Sequence, residues 1–509
     1  MSDDNNQAVR DVVKGAGIVY IGLFLELVIA FFAQVIAARY LSVGGFGGLT
    51  AGTALLDIGA ILGGLGLAAG LTRYLPRVDA ARKRMLAAAS VLVTFVVSLA
   101  IGMLVVLTAP FLAREVFGSP GVTVSIRIFG AAIPFAALLN VAVGGIRGQE
   151  QSLYRVYVKN LVHPIARIVL VVGAVVYGLD QAGIAGAYAI PYVVSAAFAL
   201  WLLYQSLPRA RTAFDRELIS EVTRYSLPFT VSNVSSFIYR SIDIFLILYF
   251  LGDEATGIYG VAYAAVSFMN MYSTAFNFLG SPIASRIEKG GSVTEVVRMF
   301  RSIARWLAIA SVFTLVPLGV FATEFITEVY HPRYAAAGPV LALLAIGYGL
   351  SNVLSIHNPI LAALGRSKIL SINSAVAAIS NVVLNVVLIP QYGIIGAATA
   401  TAVSFTLRDG LAALEVYLGV GQSPLSWRAI QPIIVAVPFL LGVLSVKSAG
   451  PGTLPWLIVA SGIAAGVYIV SLLVLFGLSS TEAMIVRSAQ ERAGIDWYPL
   501  NRLIDVLER

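Results

Sequence analysis

Apolar runs of twenty or more residues follow one another almost without pause along this chain, separated by short charged or Gly/Pro-rich breaks. A helix that crosses a bilayer takes roughly 20 such residues. Divided at its polar breaks, the chain predicts about fourteen crossings, over 15–40, 46–72, 85–110, 122–146, 158–178, 183–206, 225–250, 256–280, 302–326, 335–363, 368–390, 393–417, 428–447 and 454–477. The expected fold class is an all-α polytopic membrane protein. The first run, behind MSDDNNQAVRDVVKG, is longer than a signal-peptide core and lacks a clear small-residue cleavage site, so it reads as a permanent span.

The polar breaks are of two kinds. Those after even-numbered runs collect Arg73, Arg77, Arg82, Lys83 and Arg84, then Arg147, Arg155 and Lys159, then Arg209, Arg211, Arg216 and Arg224. Arg286, Lys289, Arg298 and Arg301 follow, then Arg366 and Lys368. Odd-numbered breaks hold little beyond Arg114, Arg333 and Lys447. Positively charged loops stay cytoplasmic, so the expected placement is a cell membrane with both termini cytoplasmic.

Composition agrees with this. Of 509 residues, 59% are hydrophobic and 12% charged, about half the charge that keeps a soluble surface wet. The formal charge of +8 follows from the loop pattern and calls for no nucleic acid. The absence of cysteine excludes disulfides and thiol catalysis, and His163, His331 and His357 show no metal-ligand spacing. No P-loop, nucleophile elbow or metal cluster is recognisable, so neither a cofactor nor an enzymatic activity is expected.

The chain carries an internal repeat. YLSVGGFGGLTAG from Tyr40 aligns without gaps on FLGDEATGIYGVA from Phe250, pairing Leu41 with Leu251, Gly47 with Gly257 and Leu49 with Tyr259. The same offset places Gly183-Ile184-Ala185-Gly186-Ala187 on Gly393-Ile394-Ile395-Gly396-Ala397. Six runs separate the copies, an even number, so the halves are parallel repeats about an axis along the membrane normal. The organisation expected is a cytoplasmic N-terminus (1–14), a six-helix lobe (15–206), a cytoplasmic linker (207–224), a second six-helix lobe (225–417), accessory helices 13 and 14 (428–477) and a cytoplasmic tail (478–509).

Two six-helix lobes, the Leu-Gly-x-x-x-x-Gly-x-Tyr turn at Gly252 and an added helix pair together resemble the polysaccharide and oligosaccharide-lipid flippases of the multidrug/oligosaccharidyl-lipid/polysaccharide exporter superfamily. Ala38-Arg39-Tyr40-Leu41 through Gly47, and Leu71-Thr72-Arg73-Tyr74-Leu75, are similar to stretches of those flippases. The resemblance covers about residues 10–417, and its motifs mark turns and packing. It implies two bundles around a central cavity, alternating access, and a polyprenyl-(pyro)phosphate-linked sugar as substrate. It also implies that the first two helices of each lobe line the cavity and that cationic residues there hold the pyrophosphate. Membrane lipids, a driving proton or sodium ion and glycan-assembly proteins are the partners it implies.

Ionisable groups at membrane depth are costly and mark cavities or partners. In the seventh run, Asn233, Ser236, Arg240 and Asp243 share a helical face. Arg240 suits an anionic headgroup, because its guanidinium fork matches phosphate oxygens; an intrahelical pair with Asp243 is the alternative. Glu26 and Gln34 stand on one face of the first run. Asp57 stands with Thr50 and Thr53 in the second, and Asn270 and Asn277 lie in the eighth. Glu26 and Asp57 are the candidates for ion coupling, with packing between lobes as their other reading, while Gln34 and Asn270 also suit helix–helix hydrogen bonding. Arg167 is a second cationic candidate or a partner for Glu26 or Asp57. Asn373, Asn381 and Asn385, like Ser351, Asn352 and Ser355, read as packing. Arg408–Asp409 reads as an interfacial pair, and His163 as satisfying backbone freed by Pro164.

The leading expectation is therefore a flippase. A cation-coupled multidrug exporter of the same superfamily and a lipid II-type flippase are its rivals. An intramembrane glycosyltransferase would need a sizeable outward loop with catalytic acids, and the outward loops here are short.

Overall fold

The computed structural model describes residues 22–149, 151–209, 214–269, 293–450 and 453–477. Among them, twelve helices are long and apolar enough to cross a membrane. The first half runs as α1 (Gly22–Tyr40), α2 (Val43–Gly64), the short α3 (Leu67–Tyr74), α4 (Ala80–Phe111), α5 (Thr123–Gly148), α6 (Leu153–Val176) and α7 (Gln181–Ser206). The second runs as α8 (Arg216–Val266), α9 (Val293–Val320), α10 (Ala337–Ala363) and α11 (Ser367–Val420), followed by α12 (Trp427–Ala449) and α13 (Leu454–Phe476). With 51 and 54 residues, α8 and α11 are each roughly 80 Å long at 1.5 Å per residue. That is more than twice a hydrocarbon core of about 30 Å. Each turns back at a glycine, Gly252 at φ 85° and Gly393 at φ 61°, where only a residue without Cβ sits at ease. These are the turns that the repeat predicts before the eighth and twelfth runs.

Helix starts use the residues expected of them. Ser42 Oγ accepts from Gly45 N at 3.0 Å, Asp79 Oδ1 from Arg82 N at 2.9 Å and Asp215 Oδ1 from Leu218 N at 3.0 Å. Each cap satisfies a backbone donor that has no carbonyl one turn behind it. α2 ends at Leu65–Gly66, both left-handed, so α3 continues in a new direction. α6 opens with a π-helical stretch, Val156–Val162, immediately before His163–Pro164. Asn160 and Lys159 stand on it.

Two compact units make up the chain. One takes the described part of Met1–Phe268 with Tyr330–Ala337 and Ala377–Thr401. Its centre is α5, buried along most of its length. Phe129 and Ile133 of α5 fill the space over Gly52 and Gly59 of α2, where an added Cβ would come within 2.2 Å and 2.5 Å of them. Close approach over small residues is how helices gain dispersion contact where lipid supplies no hydrophobic drive between them.

The repeat has a physical meaning inside this unit. A Cβ on Gly47 would lie 1.9 Å from the carbonyl oxygen of Asp253, and a Cβ on Gly257 would lie 2.1 Å from that of Val43. Asp253 is the repeat mate of Val43, and Gly257 that of Gly47, so the two copies touch through the same pair of positions in both directions. Below them, Thr50 faces its own mate, Gly260, whose added Cβ would meet Thr50 Oγ1 at 2.6 Å. Close by, Arg333 Nη2 donates to the carbonyls of Ala38 and Arg39 at 2.8 Å and 2.6 Å, and the Tyr334 hydroxyl to Ala38 O at 3.0 Å. A cation is favourable at such a helix C-terminus.

The second unit holds the described parts of Met269–Val329 and of Ala402–Arg509, with Gly338–Val376. Here α12 packs along α9, and α13 along α12: Val312, Val316 and Phe321 meet Val435, Phe439, Leu457, Ala460 and Tyr468. The opposite face of α13 exposes Ile458, Val459, Ile463, Val467 and Val470, the surface of a helix bathed in lipid. Asp409 is buried and takes two bonds from Arg408, at 2.9 Å and 2.8 Å, one from Asn358 at 3.1 Å and one from Ser351. The Arg408–Asp409 pair is thus interior at its acidic end.

Candidate functional site

Within the first unit, several of the polar residues picked out by sequence gather in two places. The first lies among α1, α2, α6 and α7. Glu26, half-buried on α1, accepts from Asn160 Nδ2 of the π-helical stretch. Asp57, on α2, is exposed, and both carboxylates lie within the electrostatic reach of Lys159 and Arg167. Arg167 Nη2 meets His163 Nε2 at 2.7 Å, and Ser195 Oγ lies 3.3 Å from His163 Nδ1. A guanidinium only donates, so Nε2 must accept; His163 is the neutral tautomer with its proton on Nδ1. The ring also stands edge-on to Tyr192 at 4.5 Å and reaches the backbone at Pro191, so this histidine serves both Arg167 and main chain. Arg167 spreads over the Tyr188 ring at 5.2 Å. Its Nε and the Tyr188 hydroxyl are buried without a hydrogen-bond partner. Two unused donors beside a cation make a place that an anionic oxygen would satisfy.

The second place lies on α8 and α11. Asp243 is 1% exposed. Its Oδ2 accepts from the Tyr259 hydroxyl and from Thr401 Oγ1 at 3.1 Å, and its Oδ1 accepts from Ile244 N at 3.0 Å. Behind Thr401 stand Asn381, whose Nδ2 reaches Thr401 Oγ1 at 3.5 Å, and Asn385, whose Nδ2 donates to Asn381 Oδ1 at 3.0 Å. Asn385 Oδ1 is buried and accepts nothing. The arrangement is a desolvated carboxylate surrounded by neutral hydroxyl and amide groups.

The two neighbours of the seventh run part company here. Asp243 turns inward, while Arg240, three residues earlier, is exposed, and the Tyr263 hydroxyl donates to the Arg240 carbonyl at 2.8 Å. Asn233 is exposed on the same stripe, and Gln34 is half-buried on α1. Thr50 and Thr53 return their hydroxyls to Phe46 O and Thr50 O, at 2.9 Å and 2.8 Å. Asn270 and Asn277 lie outside the described residues, as does the tail 478–509. Sequence reading assigned Asn381 and Asn385 to packing and missed that they serve the Asp243 network. Their spacing of four with Asn373 put them on one face, but nothing in the sequence says that α8 lies opposite. Among the described residues, no three His, Cys, Asp or Glu side chains converge as a metal site.

Comparison with known proteins matches residues 12–287 to the polysaccharide biosynthesis protein family. One curated relative is the probable low-salt glycan biosynthesis flippase Agl15 of Haloferax volcanii, 26% identical over 267 residues, 51% of this chain and 55% of that protein. Another is an uncharacterized membrane protein of Methanocaldococcus jannaschii, 23% identical over 277 residues, 54% of each chain. The chain spans about half the length of these relatives. Among solved structures, the lipid II flippase MurJ in an inward closed conformation is similar at TM-score 0.73 and 14% identity, over 89% of this chain and 97% of that one. An inward-facing multidrug resistance MATE family transporter is similar at TM-score 0.65 and 14% identity, over 79% and 98%. These likenesses establish the fold. The chain belongs to the polysaccharide biosynthesis protein family, with the architecture of the exporter superfamily that its sequence resembles.

Proposed function

Taking that membership as the premise, we propose that this protein is a flippase. Its substrate is a polyprenyl-(pyro)phosphate-linked oligosaccharide or polysaccharide precursor, carried from the cytoplasmic to the outer leaflet by alternating access. The observation that carries the reading is the placement of Arg240. It lies roughly 18 Å along the helix from the Gly252 turn at 1.5 Å per residue, about half a bilayer core, yet it is exposed. Its acidic neighbour Asp243 is satisfied elsewhere. A guanidinium kept at that depth suits a phosphate, two of whose oxygens can each accept one of its N–H groups. Arg167, with its unused Nε, offers the first half's counterpart. An anionic headgroup passes between cations while its lipid tail stays in the bilayer.

Beside Glu26 and Asp57, Asp243 is a third candidate for coupling to a proton or a sodium ion, since the groups that bond it are all neutral. Asp243 is buried, and Asn385 Oδ1, two hydrogen-bonded residues further along the same network, lacks a donor. Binding a proton or a monovalent cation there offsets the cost of a desolvated charge. Glu26 and Asp57 lie within electrostatic reach of Arg167 and Lys159, so they also suit holding those cations in place between headgroups.

The test is transport in proteoliposomes loaded with a polyprenyl-pyrophosphate glycan. Arg240→Ala should abolish translocation at normal levels of folded protein, and Arg240→Lys should restore only part of it, because lysine has no bidentate fork. Unimpaired transport by Arg240→Ala would remove the residue from the mechanism and favour the multidrug-exporter reading.

A further inference from the structure

A cluster at the far end of the same helix is used by nothing described so far. Arg73, the last-turn cation of α3, lies over the ring of Tyr225 on α8 with its guanidinium carbon 4.4 Å from the centroid. Tyr225 stands edge-on to Tyr74 at 5.5 Å and tilted against Phe229 at 5.3 Å. The Tyr74 hydroxyl donates to Glu221 Oε1 at 2.9 Å, a bond that raises the phenol's pKa above its ordinary value and keeps the donor protonated. Arg73, Glu221 and Phe229 are exposed, and Tyr74 and Tyr225 half-buried. Three aromatic rings, a carboxylate and a guanidinium therefore share one accessible spot among the basic residues of the even-numbered loops.

Those parts have a common use. A pyranose ring offers an apolar C–H face, which lies on an aromatic ring, and a rim of hydroxyls, which bond to carboxylate and guanidinium. An interhelical clamp alone would not require Glu221 and Arg73 to stay open to solvent, nor Phe229 to remain 38% exposed. The spot also continues into the stripe already described. Tyr225, Phe229, Asn233, Ser236 and Arg240 fall within an arc of about 80° at 100° per residue. From Tyr225 to Arg240 the helix advances roughly 22 Å, farther than a single sugar ring reaches.

We infer that Arg73, Tyr74, Glu221, Tyr225 and Phe229 form a glycan-binding subsite at the cytoplasmic rim, which grips the distal sugars of an oligosaccharide whose phosphate lies toward Arg240. The inference rests on the reading of Arg240 given above and adds a selectivity to it: an extended oligosaccharide is preferred over a single sugar. Basic loops around the rim, among them Arg77, Arg82 and Arg224, raise the local concentration of an anionic lipid headgroup.

The experiment compares two lipids in proteoliposomes: polyprenyl pyrophosphate carrying one N-acetylglucosamine, and the same lipid carrying a linear chito-oligosaccharide. The quantity read is the ratio of oligosaccharide to monosaccharide transport. Tyr225→Leu combined with Phe229→Leu keeps apolar bulk for packing but removes the rings. It should lower the ratio roughly threefold to tenfold, the worth of an aromatic contact at 1.4 kcal/mol per decade. Arg73→Gln should lower it less, and Tyr225→Trp should hold it. An unchanged ratio in the leucine variant, whether both rates persist or fall together, overturns the subsite. Arg240→Ala separates the two readings, because it acts on both lipids alike if phosphate is what it binds.

Discussion

The two polar centres of the first unit make opposite use of a carboxylate. Around Glu26 and Asp57 the acids share their ground with Arg167 and Lys159, and His163 is held neutral by accepting from Arg167. Around Asp243 the donors are a phenol, a hydroxyl and a backbone amide. A carboxylate within electrostatic reach of cations can position them. One bonded only by neutral groups can take up and release a positive species, because nothing else at that spot supplies positive charge. The backbone of the two halves is kept alike, as the Gly47–Gly257 contact shows, while the polar cargo of the two halves has diverged.

The sharpest way to break the comparison is at the part held in common. Gly47→Val and Gly257→Val should each cost about 3 kcal/mol or more of stability by overpacking, since even a Cβ meets backbone at 1.9 Å and 2.1 Å. The two should match each other in a thermal-shift measurement, and the double variant should cost less than their sum, because both open the same contact. Unequal single effects, or full additivity, would mean that the two positions do not share one interface.

A next smaller effect belongs to the divergent part. Asp243→Asn should sever transport from the ion gradient while leaving exchange without a gradient intact, whereas Asp57→Asn should keep its gradient dependence. The reverse outcome, with Asp57→Asn uncoupled, would move coupling to the first half.

The smallest is expected at Arg167. Arg167→Gln should weaken the apparent affinity for the pyrophosphate lipid about tenfold, the worth of one charge-assisted bond, and leave coupling unchanged. Equal affinity in this variant would reduce Arg167 to a partner of His163.

Much of this was legible in the chain. Long apolar runs gave the membrane helices, and the repeat offset gave the turns at Gly252 and Gly393, because glycine marks a backbone conformation that other residues avoid. The polar stripe through Arg240 was visible from helical spacing alone. What escaped were the partners. Whether Arg240 pairs with Asp243 depends on Tyr259 and Thr401, 16 and 158 residues from the acid, and spacing along one helix carries no information about a helix that arrives from elsewhere. Asn381 and Asn385 were unreadable for the same reason. The Tyr225 ring cluster escaped because Tyr74 and Phe229 look like ordinary apolar positions until α3 and α8 are side by side.

The Gly47–Gly257 contact has a consequence for descent. Position 43 of one copy meets position 47 of the other, and the reverse contact is made with the roles exchanged; this is the isologous interface of a twofold homodimer. In a dimer of half-length chains, one glycine codon would have supplied both sides, and any substitution there would have struck the interface twice. A single chain would lift that constraint everywhere except at the axis itself. In a single chain the mates of Arg167 and Asp243 are separate positions, so one half can hold a cation and the other a buried acid.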